Sequence, residues 1–113
     1  MSPRSNQARL SDISAACAAI ESYLARDDTD DDILHDAIRA RLVEIGEAVK
    51  DLDADVLNSE PAIAWSEIAR MRDQLTHRYF DTTHAIVRTT AEKEIPELAA
   101  AVARLQVSLP KKA

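Results

Sequence analysis

Glycine, cysteine and aromatic residues are scarce in this chain of 113 residues, which has one glycine, one cysteine, one tryptophan, two tyrosines and one phenylalanine. Tight β-turns need Gly, Asn or Asp between short β-branched runs, so the scarcity of glycine excludes an all-β fold. A single glycine also excludes the glycine-rich phosphate loops of Rossmann and P-loop nucleotide sites. What remains is a soluble composition with abundant helix-forming residues, in which 46% of residues are hydrophobic and 30% are charged.

The single cysteine and the short apolar runs bear on compartment and membrane association. Cys17 alone gives neither a disulfide framework nor a cysteine zinc site, and it lies in a helix-like run as a small core residue. The longest apolar run, residues 98–103, is far shorter than the roughly 20 residues of a membrane-spanning helix. Residues 1–10 lack the apolar core of a secretory signal. We therefore expect a cytoplasmic protein without a membrane partner.

Charge is distributed unevenly along the chain, which has 14 basic and 20 acidic residues and a net charge of −6. This balance opposes unspecific nucleic-acid binding, which depends on neutralising phosphates. Most of the acidic residues fall in residues 27–60. Residues 61–90 instead hold four arginines against three acids, together with two histidines, so this stretch suits an anion best.

Apolar residues recur three and four positions apart through most of the chain, which predicts an all-α protein. The pattern divides into four to five helices, and a first one ends near Arg26. We predict an antiparallel bundle of these helices in one domain spanning residues 1–113. The polar ends at residues 1–8 and 110–113 are expected to be loose.

Helix boundaries follow from capping residues and from helix breakers. The acidic run at residues 27–32 is expected to end the first helix and open the second, because negative charge stabilises a helix N-terminus. Residues 81–83 provide a break and an N-cap, and Pro96 either kinks the fourth helix or begins a fifth. Gly46 inside the second helix costs about 1 kcal/mol relative to alanine. We infer that a neighbouring helix or a partner backbone approaches closely there.

Residues 70–80 combine a cation, a carboxylate, an imidazole and a phenol, in Arg72, Asp73, His77 and Tyr79. Histidine gives and takes a proton near neutral pH. Arginine offers a planar fork that matches phosphate oxygens and stabilises developing charge. Together these groups suit metal-independent RNA cleavage, in which a 2′-hydroxyl attacks its adjacent phosphate. No cluster of acids and histidines has metal-ligand spacing, so no metal is expected.

The spacing of Arg72 and His77 leaves two interpretations open. On a continuous helix the two residues lie about 140° apart. They converge only if the helix bends or if two copies of the chain face each other, as they do in a symmetric dimer. The structural alternative is that His77 caps the last carbonyls of its helix.

Four short segments, taken in order, closely resemble the HepT-like toxins of the HEPN superfamily, and the similarity runs from about residue 13 to residue 105. They are Ile-Gly-Glu-Ala at 45–48, the tryptophan-containing segment 61–73, His-x-Tyr-Phe at 77–80 and Ile-Pro-x-Leu at 95–98. Thr76 departs from the pattern, because an aliphatic residue usually precedes the histidine. The Thr-Thr-His of residues 82–84 departs as well.

The resemblance implies a HEPN-like helical fold and a homodimer formed through the motif face. It implies a metal-independent endoribonuclease that cleaves RNA, with tRNA as a candidate substrate, and that acts as the toxin of a toxin–antitoxin pair. On this pattern Arg72 and His77 are the catalytic pair, and Asp73 supports them. Arg70 and Arg78 are candidates for contacting RNA phosphates.

The resemblance also implies a partner and a modification. Tyr79 matches the tyrosine to which an MntA-like minimal nucleotidyltransferase, the antitoxin, transfers AMP from ATP. The ATP belongs to the partner, and this chain is expected to need no cofactor. The alternative is a catalytically silent HEPN dimer that serves only as binding partner and nucleotidyl acceptor for the transferase.

Overall fold

A computed structural model describes residues 3–77 and 84–109, and all of its regular structure is helical. The helices are α1 (Pro3–Leu24), α2 (Asp31–Lys50), α3 (Ala54–Asn58), α4 (Trp65–His77), α5 (His84–Lys93) and α6 (Ile95–Ser108). No strand occurs in these two ranges, so the all-α prediction is confirmed. The six helices exceed the predicted four to five because of α3, which spans only five residues. None of the described helices is long and apolar enough to cross a membrane.

Helix α2 lies at the centre of the fold and packs against both α1 and α4, while α1 also packs against α6. Each of these helices buries one stripe, as the spacing of apolar residues predicts. The largest fully buried side chains are Leu10, Ile13, Cys17, Ile20, Ile38, Leu42, Ile45, Val102 and Leu105. Cys17 is 1% exposed, which confirms it as a small core residue, and this burial raises the pKa of its thiol to about 12.

The start of α2 confirms the expected role of the acidic run. Asp30 is the N-cap, and its side chain accepts a hydrogen bond of 2.8 Å from the backbone N–H of Asp32. This bond satisfies one of the free N–H groups of the first turn. Helix α1 ends at Leu24, two residues before the predicted limit.

Residues 3–8 are part of helix α1, so the expectation that residues 1–8 are loose is wrong for these six residues. Helix α1 begins at Pro3. Asn6 is buried, and its Nδ2 donates to Asp53 Oδ2 at 3.1 Å while its Oδ1 accepts from the Asp53 backbone N–H at 3.2 Å. The polar composition of these residues suggested an unpacked end. The packing could not be seen in the sequence because the partner of Asn6 lies 47 residues away. Residues 1–2 and 110–113 lie outside the described residues.

Of the two roles considered for Pro96, the structure has the second, the start of a separate helix. Helix α5 ends at Lys93 and α6 begins at Ile95, with Pro96 in its first turn. Proline is tolerated there because the N–H it lacks would have no helical partner. The predicted break at residues 81–83 lies outside the described residues.

Candidate active site at the contact of α2 and α4

Gly46 allows α2 and α4 to approach closely. A Cβ atom at this position would overlap Cβ of Arg72 and lie 3.0 Å from its Cγ and 3.3 Å from the backbone oxygen of Ile68. The close approach inferred from a glycine inside a helix is therefore confirmed, and the neighbour is α4. The contact places the Ile-Gly-Glu-Ala segment directly against Arg72.

Two carboxylates hold the guanidinium of Arg72. Its Nε and Nη2 contact Oε1 of Glu47 on α2, and its Nη1 donates to Oδ1 of Asp73 at 2.9 Å. The Arg72 side chain is 25% exposed, so the head group lies at the surface of the α2–α4 contact. Hydrogen bonds to Asp73 and Glu47 raise the pKa of Arg72 and keep it a fixed cation.

Asp73 joins the two helices through a second cation. Nζ of Lys50, on α2, lies 3.3 Å from the same Oδ1 atom that accepts from Arg72. Hydrogen bonds from Arg72 and Lys50 lower the pKa of Asp73, so Asp73 is a carboxylate at neutral pH and has no proton to donate. Glu47, Arg72, Asp73 and Lys50 form a network of alternating sign whose charges sum to zero, and we call it the α2–α4 network.

His77 is the last residue of α4, and its side chain is exposed. It lies about 140° around the helix and about 7.5 Å along its axis from Arg72. Within residues 3–77 and 84–109, no hydrogen bond or ion pair joins the two side chains. The described contacts do not use His77 to cap the end of the helix. Instead Nη2 of Arg39, on α2, donates to the carbonyl of Leu75 in the last turn at 2.6 Å.

The remaining candidates are Arg70, Arg78 and Tyr79. Arg70 is exposed but lies about 200° around α4 from Arg72, on nearly the opposite side of the helix. Arg78 and Tyr79 lie outside the described residues. In the part of the chain that the structure describes, no group of three or more His, Cys, Asp or Glu side chains is arranged to hold a metal ion.

Sequence reasoning missed the two residues that α2 contributes, Glu47 and Lys50. They lie 25 and 23 residues before their partners on α4, so nothing in the local pattern links them to Arg72 and Asp73. One signal was available. A glycine inside a helix indicates a close contact with another part of the chain. The charged residue directly after Gly46 is therefore a candidate to contact the neighbouring helix.

Fold and site together define an all-α protein with a held arginine and an exposed histidine on one helix. The Ribonuclease HepT-like family matches residues 13–105. The chain therefore belongs to the HepT-like ribonuclease family, which confirms the resemblance seen in the sequence.

Individual relatives agree with this assignment. The chain is 37% identical over 100 residues to "Probable ribonuclease HepT" of Thermococcus cleftensis, which covers 84% of this chain and 90% of that protein. It is 44% identical over 68 residues to "Putative RNase TTE0752" of Caldanaerobacter subterraneus, covering 60% of this chain and 61% of the relative. The match to the Methanocaldococcus jannaschii "Gamma-glutamylcyclotransferase and putative RNase MJ0434" is 34% identical over 81% of this chain but spans only 43% of the relative. No solved structure matches the chain significantly.

Proposed function

We propose that the chain is a metal-independent endoribonuclease that works as a homodimer in the cytoplasm, as the toxin of a toxin–antitoxin pair. Membership of the HepT-like ribonuclease family supports the class of reaction. The observation that carries the proposal is the arrangement on α4, where a held Arg72 and an exposed His77 share one short helix. A fixed cation, and an imidazole that can accept and donate a proton, suit cleavage of an RNA phosphodiester.

In the proposed reaction His77 removes the proton from a ribose 2′-hydroxyl, and the 2′-oxygen attacks the adjacent phosphorus. The bond from phosphorus to the 5′-oxygen breaks, and that oxygen receives a proton from a second, protonated imidazole. The products are a 2′,3′-cyclic phosphate and a 5′-hydroxyl. These proposed steps use neither a metal nor a cofactor.

Arg72 is proposed to stabilise the negative charge that grows on the phosphate oxygens. A guanidinium carries five N–H donors. Three of its nitrogen contacts go to Glu47 and Asp73, which leaves one N–H on each of Nη1 and Nη2 for the substrate. These two groups form the end of the fork, the edge that can meet two phosphate oxygens at once.

A dimer is proposed because one chain does not bring Arg72 and His77 together. The two side chains diverge by about 140° on α4. A two-fold axis beside the end of α4 would set the same patch opposite itself, so that the arginines and histidines of both copies line one cleft. Two histidines in that cleft would supply both the base and the acid.

Neutralisation is proposed to occur at Tyr79, as the resemblance implies. The phenol oxygen would lose its proton to solvent and attack the α-phosphorus of ATP in the partner transferase. The bond from that phosphorus to the oxygen bridging it to the β-phosphorus would break, pyrophosphate would leave, and AMP would remain on the tyrosine. Tyr79 follows His77 by two residues. A bulky phosphate-bearing group at that distance would fill the anion site and repel RNA.

A second candidate function is a silent dimer that only binds the transferase and accepts AMP. The neutral α2–α4 network favours it, because Arg72 already has two carboxylate partners. Under this candidate the tyrosine is still modified, but RNA is not cleaved.

Expression in a bacterial host without the antitoxin separates the two candidates. The ribonuclease proposal predicts growth arrest by the wild type, with 2′,3′-cyclic phosphate ends on cellular RNA, and normal growth with His77→Ala at equal protein level. Normal growth with the wild type, confirmed unmodified by intact mass, would contradict the ribonuclease proposal and favour the silent dimer.

A further inference from the structure

Glu47 contacts Arg72 from a different helix, at the position where a glycine lets the two helices approach closely. Gly46 directly precedes it and lets Cβ of Arg72 lie against α2. The same approach brings Oε1 of Glu47 to Nε and Nη2 of the guanidinium. Glu47 is half exposed and has no second basic partner among the described residues, so its carboxylate is directed to Arg72 alone.

We propose that Glu47 is a positioning residue, which fixes the plane of the Arg72 guanidinium so that its Nη1–Nη2 end faces the RNA phosphate. The inference rests on the proposed ribonuclease function. Asp73 is the next residue on α4 and holds the guanidinium at Nη1 only. One such contact leaves the head group free to turn. A second contact on the Nε side, from another helix, fixes the plane of the fork.

The opposite role for the same carboxylate is that of a brake, which competes with phosphate for Arg72. The two roles differ in what charge and hydrogen bonding contribute. A positioning residue acts through its acceptor oxygen, and glutamine retains one. A brake acts through its negative charge, which glutamine removes. Glu47→Gln therefore separates them.

The kinetic test compares Glu47→Ala, Glu47→Gln and the control Glu44→Gln on total tRNA. Glu44 lies one turn earlier on α2, is 52% exposed against 53% for Glu47, and pairs with Arg41 instead of Arg72. We expect Glu47→Ala to lower kcat about tenfold or more, because small misplacement of a catalytic group is costly, with KM within about threefold of wild type. Glu47→Gln should retain at least about a third of kcat, and Glu44→Gln should match the wild type.

Two kinetic results would overturn the proposal. One is cleavage by Glu47→Ala as fast as by the wild type or faster, which is the behaviour of a brake. The other is a loss of kcat in Glu47→Gln as large as in Glu47→Ala, because the acceptor oxygen that glutamine retains would then not orient the Arg72 guanidinium.

A second readout does not depend on cleavage. The Nε–H signal of Arg72 in a ¹H–¹⁵N spectrum, assigned by its loss in Arg72→Lys, should exchange slowly with solvent in the wild type, Glu44→Gln and Glu47→Gln. It should exchange rapidly in Glu47→Ala. Rapid exchange in the wild type would overturn the positioning role. A wild type that does not cleave RNA but protects this proton would overturn the ribonuclease proposal alone.

Discussion

Replacing Gly46 with alanine sets helix propensity against packing at the α2–α4 contact. Alanine is favoured over glycine in a helix interior by about 1 kcal/mol, so on propensity alone the variant would be more stable. The added Cβ, however, would overlap Cβ of Arg72 and lie 3.3 Å from the backbone oxygen of Ile68. These atoms are backbone or next to it, so α4 as a whole has to shift.

Overpacking of this kind costs about 1–3 kcal/mol. We expect the upper part of that range, because no flexible side-chain end can move aside, and a net loss of about 1–2 kcal/mol after the gain in propensity. For a chain of this length such a loss lowers Tm by several degrees, at about 4 °C per kcal/mol. The movement of α4 should also disturb the contact between Arg72 and Glu47.

The assay is urea and thermal unfolding followed by circular dichroism, with Ala40→Gly as the matched control. Ala40 is exposed on α2, so this control reports the cost of glycine in α2 without a packing change, about 1 kcal/mol of destabilisation. A Gly46→Ala variant that is more stable than the wild type by about that amount would refute the close contact.

Two further predictions concern titratable groups, the Asp73 carboxylate of the α2–α4 network and the Cys17 thiol of the core. The lowered pKa of Asp73 contributes stability above its ordinary pKa of 3.8, and this contribution is lost as pH falls through the lower folded-state value. The stability difference between wild type and Asp73→Asn, measured by urea unfolding, should therefore shrink as the pH falls below that ordinary value. Cys17, buried with its pKa raised to about 12, should react with iodoacetamide at neutral pH only when urea unfolds the chain. Equal labelling rates with and without urea would contradict its place in the core.

The helices were predictable from sequence where their determinants are local. The apolar spacing and the acidic run at residues 27–32 predict α2, and the start of a helix at Pro96 was one of the two roles considered for that residue. Helix α3 was missed because five residues carry too little periodicity to recognise. The start of α1 was missed because the partner of Asn6 is Asp53, which only the folded chain brings near.

The candidate site likewise has a local part, which the sequence predicts, and a tertiary part, which only the folded chain shows. Arg72 and Asp73 are neighbours in sequence, so their contact could be anticipated, and it is present. Glu47 and Lys50 join them through tertiary packing, and their part in the site depends on how closely α2 approaches α4. Gly46 predicted a close approach, but not that the neighbour would be α4 with Arg72.

In the proposed function, His77 and Arg72 cleave RNA without a metal. The most direct measurement incubates the purified wild type, shown by intact mass to carry no AMP, with total tRNA in EDTA beside His77→Ala and Arg72→Ala. We predict cleavage by the wild type alone, with 2′,3′-cyclic phosphate and 5′-hydroxyl ends, while both variants keep the oligomeric state of the wild type and stay folded by circular dichroism. Undiminished cleavage by a folded His77→Ala, or none by the wild type, would contradict it.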